Sequence, residues 1–221
     1  MKALFRWALY LLILTISIAL VHMWITNKQY LFDRETIFAI TKKAIAKLNT
    51  TGKATHVEIF DEVAKGLEAK YKTHIIPKSD RQWLFVNAGG WMASFYLMHA
   101  SLTEYVYFMG TAMQTSGHAG RHWLNISSIV VGGEFREWKE GTTESIVLYP
   151  GDTTFQAWGT TVGMDWKAGT WVVVYSRGIS VPTLVVCLVD TLTGTTDVYN
   201  LYKLTVLWGK ALMNELMQLK F

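Results

Sequence analysis

Cysteine is almost absent from this chain, which has Cys187 as its single example among 221 residues. One thiol cannot form an internal disulfide, so a disulfide-stapled fold is excluded. Cys187 lies in the apolar stretch at residues 184–189, where it is expected to be buried as a small hydrophobic side chain.

Charged residues are also scarce. They make up 17% of the chain, whereas soluble domains usually contain about 25%. The lysines and arginines that give a net charge of +4 are scattered and form no run interleaved with aromatic residues. Nucleic acid is therefore not a predicted partner. A mild basic excess together with 51% hydrophobic residues favours membrane lipid as the partner instead.

Formal charge is missing altogether between Arg6 and Lys28. The intervening stretch matches the roughly 20 residues that a helix needs to cross a bilayer. Trp7, Tyr10 and Trp24 stand near its ends, where interfacial aromatic residues are typical. The stretch is too long for the apolar part of a signal peptide, and no small-residue cleavage site follows. The sequence predicts a retained transmembrane helix over residues 8–25.

Periodicity divides the chain into four predicted segments. Residues 1–32 form the anchor and residues 33–80 a helical segment, with a break at Thr51-Gly52 and a capping box at Thr55 and Glu58. In residues 81–182, glycines cut short runs of aromatic and β-branched residues, as is typical of an all-β sandwich or barrel. Helical spacing returns in residues 183–221, whose broad apolar face predicts helices that lie in the membrane interface or pack on the barrel.

Few short motifs indicate chemistry. His118 and His122 have the i,i+4 spacing of zinc ligands, but glycines interrupt the segment and no helix carrying a glutamate accompanies it. No metal and no other cofactor is therefore predicted. His56 and His74 flank a predicted helix, have no neighbours suited to bind a metal with them, and are expected to be solvated.

Longer strings of residues are more specific. They include Gln-Trp-Leu-Phe-Val-Asn-Ala-Gly-Gly-Trp-Met at 82–92 and His-Ala-Ser-Leu-Thr-Glu-Tyr-Val at 99–106. Gly-His-Ala-Gly-Arg-His-Trp at 117–123, Glu-Gly-Thr-Thr at 140–143 and Tyr-Pro-Gly at 149–151 follow in the same order and at nearly constant spacing. In these strings the chain resembles the family that contains the sigma-1 receptor and the fungal sterol C-8 isomerases, as a divergent member.

The resemblance implies a mainly β fold, a cupin-like β-barrel with an N-terminal transmembrane helix and flanking amphipathic helices. It further implies an apolar pocket inside the barrel, C-terminal helices over the barrel mouth, and assembly as homotrimers in the endoplasmic reticulum membrane. The pocket residues implied by resemblance are Trp91, Leu97, Tyr105, Ile126, Ser128, Trp166, Val174 and Leu184.

The same resemblance implies chemistry from which this sequence departs. The isomerases protonate one sterol carbon and deprotonate another, and the receptors pair a carboxylate with a ligand ammonium; both need buried acids. The family's acid positions correspond here to Asn125, Ser128 and Val174, none of which is acidic. No catalytic residue is therefore assigned. Tyr105, which would contact the family's glutamate, needs another partner.

Other acids remain elsewhere in the barrel region. Glu104 and Asp190 match the family and are expected to stabilise the structure, although Glu104, Glu134 or Asp190 could act as a relocated acid. None of the remaining acids occupies a family acid position; they are Glu104, Glu134, Glu137, Asp152, Asp165 and Asp190.

The sequence thus predicts a non-catalytic scaffold or accessory subunit of a membrane complex. The alternatives are a sterol Δ8–Δ7 isomerase that uses a relocated acid, and a receptor-like binder of neutral lipid or sterol. Weak binding of hydrophobic amines is expected, with recovery on Ser128→Asp and Val174→Glu. The expected compartment is the endoplasmic reticulum membrane. Because no acid precedes Asp33, the mitochondrial membrane is the alternative.

Overall fold

The computed structural model describes residues 2–49 and 55–218, so the predicted break at Thr51-Gly52 lies outside the described residues. The chain divides into two units, the first ending at Leu31 and the second beginning at Phe32. In the first unit, helix α1 (Lys2–Asn27) contains the charge-free stretch. Its segment Leu4–Asn27 is long and apolar enough to cross a membrane, and its side chains are largely exposed. The predicted N-terminal apolar helix is confirmed.

Two helices open the second unit, α2 (Arg34–Asn49) and α3 (His56–Tyr71). Asp33 caps α2 by accepting a hydrogen bond from Thr36 N at 2.8 Å. The predicted capping box begins α3, since Glu58 N donates to Thr55 Oγ1 while Thr55 N donates to the Glu58 carboxylate. A short 3-10 turn, Lys72–His74, follows α3.

Within the described residues, ten antiparallel strands form two sheets. The larger sheet has the order β1-β2-β3-β10-β5-β8 and the smaller one the order β4-β9-β6-β7. The strands are β1 (Trp83–Ala88), β2 (Trp91–Ala100), β3 (Glu104–Thr111), β4 (Thr115–His118), β5 (Leu124–Gly132), β6 (Phe135–Lys139), β7 (Ser145–Leu148), β8 (Thr153–Gln156), β9 (Val162–Trp166) and β10 (Thr170–Gly178). Together they make the predicted cupin-like barrel.

Strand β10 lies inside the larger sheet and is buried on both faces. Val172 and Val174 point toward the smaller sheet and pack with Phe135 and Trp166. Trp171, Val173 and Tyr175 point the other way, into a core shared with α2 and α3. Because successive side chains of a strand alternate between its faces, one strand serves both cores. The alternation predicted for residues 171–175 is observed.

The C-terminal region consists of α4 (Val181–Asp190), a π-helical turn (Thr191–Thr195) and α5 (Val198–Gln218). Leu207 and Ala211 of α5 are buried against the barrel. Tyr199, Tyr202 and Met217 on the same helix are largely exposed. The expected packing on the barrel is observed for one stripe of α5, while other apolar side chains of the helix face outward.

Two histidines expected to be solvated are not. The His56 ring stacks on Trp171 with 4.0 Å between centroids, and its burial lowers the pKa of the imidazole. His74 Nδ1 lies 3.0 Å from Glu215 Oε2, which fastens α5 to the 3-10 turn. The expectation was wrong because α3 and α5 fold back on the barrel and bring partners from distant parts of the chain.

A buried carboxylate joins the start of the second unit to the larger sheet. Glu104 is 3% exposed and accepts a hydrogen bond from Phe32 N at 3.0 Å. Tyr175 Oη lies 2.9 Å from Glu104 Oε1 and 2.9 Å from Phe32 O. These contacts agree with the structural role expected of Glu104.

We expect Glu104→Ala to lower the free energy of unfolding by about 3 kcal/mol, because it leaves the buried Phe32 amide without its acceptor and removes the carboxylate that the Tyr175 hydroxyl contacts. Urea unfolding of the purified chain in detergent, followed by tryptophan fluorescence, measures the change. The control is Glu144→Ala, which alters an exposed glutamate and should cost less than about 0.5 kcal/mol. Equal unfolding curves for the two variants would contradict the assigned role.

Candidate functional site

A cavity of about 360 Å³ lies between the two sheets. Its walls are mostly apolar, because the inward positions of the strands carry valine, methionine and aromatic side chains. Helices α4 and α5 contribute Leu184, Cys187, Leu204 and Trp208 to the lining. Cys187, expected to be buried, is half-buried at this wall.

The structure brings all eight pocket residues named from the sequence to this one cavity. They lie on five different strands and on α4, and they are Trp91, Leu97, Tyr105, Ile126, Ser128, Trp166, Val174 and Leu184. Trp91, Tyr105, Trp166 and Val174 are among the buried side chains of the barrel.

Two of the three positions at which the resemblance implies acids face the cavity side by side. Val174 of β10 pairs with Ser128 of β5, which in turn pairs with Thr154 of β8. Side chains directly opposite on neighbouring strands have Cβ atoms about 5 Å apart. The three therefore form a row across the larger sheet, here called the 174–128–154 row, and it carries hydroxyl and methyl groups only.

The third family acid position lies outside the cavity lining. Asn125 uses its Oδ1 to accept a hydrogen bond from Trp158 N at 2.9 Å. This amide holds the loop that follows β8, so its local contribution is structural. An acid here would meet the same backbone amide.

Tyr105 finds the partner that the sequence left open. Trp208 Nε1 of α5 donates a hydrogen bond to Tyr105 Oη at 3.1 Å. In register, however, Tyr105 faces Ser176, and the residue opposite Val174 is Tyr107. Burial raises the pKa of Tyr105 to about 12 and raises that of Tyr107 as well. Both tyrosines are therefore neutral hydrogen-bonding groups at physiological pH.

Of the three acids that the sequence offered for a relocated site, Asp190 lies at the cavity and the other two do not. Glu104 and Glu134 do not line the cavity, whereas Glu137 and Asp190 do. Asp190 accepts a hydrogen bond from Gly89 N at 2.8 Å. Glu137 is 2% exposed and accepts one from Thr154 Oγ1. The alternation of β6, which places Phe135 and Glu137 on its buried face, is the pattern that could have identified this residue.

His118 and His122 line the cavity but have local partners. His118 Nδ1 accepts a hydrogen bond from Gly120 N at 3.0 Å, and His122 Nε2 lies 2.8 Å from Ala119 O. Burial lowers the pKa of His122. Within residues 2–49 and 55–218, no group of three or more His, Cys, Asp or Glu side chains is placed to hold a metal ion.

Comparison with known proteins gives consistent matches. The family model described as "ERG2 and Sigma1 receptor like protein" matches residues 8–220. The sigma non-opioid intracellular receptor 1 of Danio rerio is 41% identical over 202 residues, which cover 91% of this chain and 88% of that protein. The C-8 sterol isomerase of Neurospora crassa is 31% identical over 194 residues, covering 87% and 73%.

Among solved structures, a RmlC-like cupin from Shewanella frigidimarina overlays with a TM-score of 0.40 at 18% identity. The overlay covers 48% of this chain and 91% of that one.

The tyrosine buried in the cavity wall predicts loss of stability in alkali. Because the pKa of Tyr105 is raised from 10 to about 12 in the folded chain, the unfolded chain releases this proton first. The contribution of protonated Tyr105 to the free energy of unfolding is therefore fully present below pH 10 and is lost as the pH rises toward 12. We expect Tyr105→Phe to flatten this fall, by about 2 kcal/mol at pH 12. Unfolding free energies measured between pH 8 and 11.5 test this, with the exposed Tyr149 as the site of the control variant Tyr149→Phe; identical slopes would contradict it.

Proposed function

This chain is a member of the family of ERG2 and sigma-1 receptor-like proteins, and from that premise we propose that it is a non-catalytic, membrane-anchored member whose barrel binds a neutral apolar molecule such as a sterol or lipid. The observation that supports the proposal most directly is the apolar cavity lined by all eight expected pocket residues. The Neurospora crassa relative is named for an activity on sterols, which favours that ligand class.

The size of the cavity favours ligand binding over a barrel kept only for packing. Unfilled space in a protein core costs about 24 cal/mol per Å³ in mutational series. For the 360 Å³ found here, the cost would be on the order of 9 kcal/mol. Larger side chains at Ser128 or Val174 would reduce this cost. An apolar cavity lined by aromatic and aliphatic side chains is expected where a ligand occupies the space.

The cavity wall also supports a non-catalytic role. Shifting a double bond requires one group that donates a proton and another that accepts one, at two different carbons. Ser128 and Val174 supply neither, and Asn125 is turned toward the Trp158 amide. Asp190, the acid contributed by α4, is engaged by the Gly89 amide. Glu137 of β6 is a buried carboxyl group of the wall, but one carboxyl group does not provide both the donor and the acceptor that the reaction needs.

The outward apolar surfaces support membrane attachment. Helix α1 is apolar along its length, and α4 and α5 expose Val185, Val189 and Met217 among other apolar side chains. Exposed apolar surface of this extent is typical of membrane or protein contacts. We place the protein in the endoplasmic reticulum membrane, with the mitochondrial membrane as the alternative, as a homotrimer or an accessory subunit of a larger membrane complex.

If the ligand binds inside the barrel, a larger side chain that fills part of the cavity should weaken ligand binding. We expect the full chain in detergent to bind a fluorescent sterol saturably, and Ser128→Phe to weaken this binding at least tenfold because the new ring occupies the cavity. Ser145→Phe is the matched control, since Ser145 is exposed on β7. Fluorescence titration measures both. Equal affinities of the two variants, or no saturable binding by the parent, would contradict the proposal.

A non-catalytic member should not replace the enzyme. We expect a yeast strain that lacks sterol C-8 isomerase to accumulate Δ8 sterols unchanged when it expresses this chain, because no acid stands at the three family positions. Sterol analysis by gas chromatography gives the answer, with expression verified by immunoblot and a fungal isomerase as the positive control. Appearance of Δ7 sterols would overturn the non-catalytic assignment.

A further inference from the structure

The cavity contains one carboxyl group that the protein itself does not fully satisfy. Glu137 lies on β6 of the smaller sheet and is 2% exposed. Its Oε2 accepts a hydrogen bond from Thr154 Oγ1. Its Oε1 has no hydrogen-bond partner among the described residues. Buried polar atoms are nearly always hydrogen-bonded, so this atom calls for a partner from outside the chain.

No cation of the cavity offsets this carboxyl. None of the described lining residues is a lysine or an arginine. Within the described part of the chain, Glu137 forms no ion pair within 4 Å, and Lys139 two residues further along β6 is exposed. A carboxyl group in apolar surroundings is costly to bury unless a donor or a cation pairs with it.

The carboxyl group of Glu137 lies at one end of the 174–128–154 row. Through Thr154, its carboxyl group touches the end of the 174–128–154 row, where two of the family's acid positions hold a valine and a serine. The larger sheet has no acid in this row, and the facing sheet brings one to its end. The cavity therefore keeps an acidic end, supplied by a different strand.

We propose that Glu137 is the polar anchor of the barrel, and that its Oε1 accepts a hydrogen bond from the donor head group of an apolar ligand. The inference rests on the proposed function, since it requires a ligand in the cavity. For the neutral ligand of the proposed function, this head group is a hydroxyl. An ammonium also donates to a carboxyl oxygen, and the experiment below distinguishes the two.

The contribution of each head group to binding can be measured with three ligands that share the cholestane skeleton. Cholestan-3-amine, cholestan-3-ol and unsubstituted cholestane compete with the fluorescent sterol for the full-length chain in detergent. We expect the parent to bind the amine or the alcohol at least tenfold more tightly than cholestane, and the arm with the larger preference identifies the head group. In Glu137→Leu this preference should fall at least tenfold, because leucine offers no acceptor, while cholestane binds as before. Glu144→Leu, which alters an exposed glutamate of the same hairpin, is the control and should behave as the parent.

The outcomes separate the two proposals. If the parent binds the fluorescent sterol and cholestane but Glu137→Leu keeps the full preference for the amine and the alcohol, the anchor assignment is overturned and the proposed function stands. If Glu137→Leu loses all three ligands alike, Glu137 is structural and the assignment is again overturned. If the parent binds none of the probes, the proposed function itself fails. Thr154→Val, which keeps the carboxyl group, should retain a preference for the donor-bearing ligands over cholestane.

Discussion

The rest of the structure depends on a strand that must be apolar on both of its faces. Strand β10 is hydrogen-bonded to β3 on one side and β5 on the other, so its backbone is satisfied by the sheet. Its side chains then serve two cores at once, with Val173 and Tyr175 under the helices and Val172 and Val174 in the cavity. Such a strand tolerates polar atoms only where partners meet them, as Glu104 meets the Tyr175 hydroxyl.

The same constraint explains why β10 accommodates a valine at position 174. A valine at position 174 is what a doubly covered strand accommodates most easily, and it is 1% exposed. Strand β6 belongs to the smaller sheet, and its outward face carries exposed Arg136 and Trp138. Because only one face of β6 is buried, this strand can carry a carboxyl group on that face if a donor such as the Thr154 hydroxyl forms a hydrogen bond with it.

Much of this architecture could be predicted from the sequence because its determinants are local. The charge-free stretch of α1, the Thr55–Glu58 capping box and the alternation in β10 are each contained within one element. The eight pocket residues could be named because they belong to strings shared with a known family, and the structure gathers them at one cavity.

What the sequence could not supply depends on contacts between distant elements. The His74–Glu215 pair joins residues 141 apart, and the Trp208–Tyr105 hydrogen bond joins residues 103 apart. The bond between Thr154 and Glu137 crosses from one sheet to the other, and the periodicity of a single strand says nothing about such a crossing. Alternation in β6 shows that Glu137 points inward; only the packing of the two sheets shows what it meets there.

The double character of α5 has a consequence for how affinity is to be expressed. This helix places Leu204 and Trp208 in the cavity wall while it turns Tyr199, Tyr202 and Met217 outward. If that outward face rests in lipid, a hydrophobic solute approaches the barrel from the bilayer and never passes through water. Its relevant concentration is then a mole fraction in the lipid phase. Dissociation constants referred to aqueous concentration would shift with the amount of lipid or detergent present, whereas ratios between ligands that partition alike would stay constant.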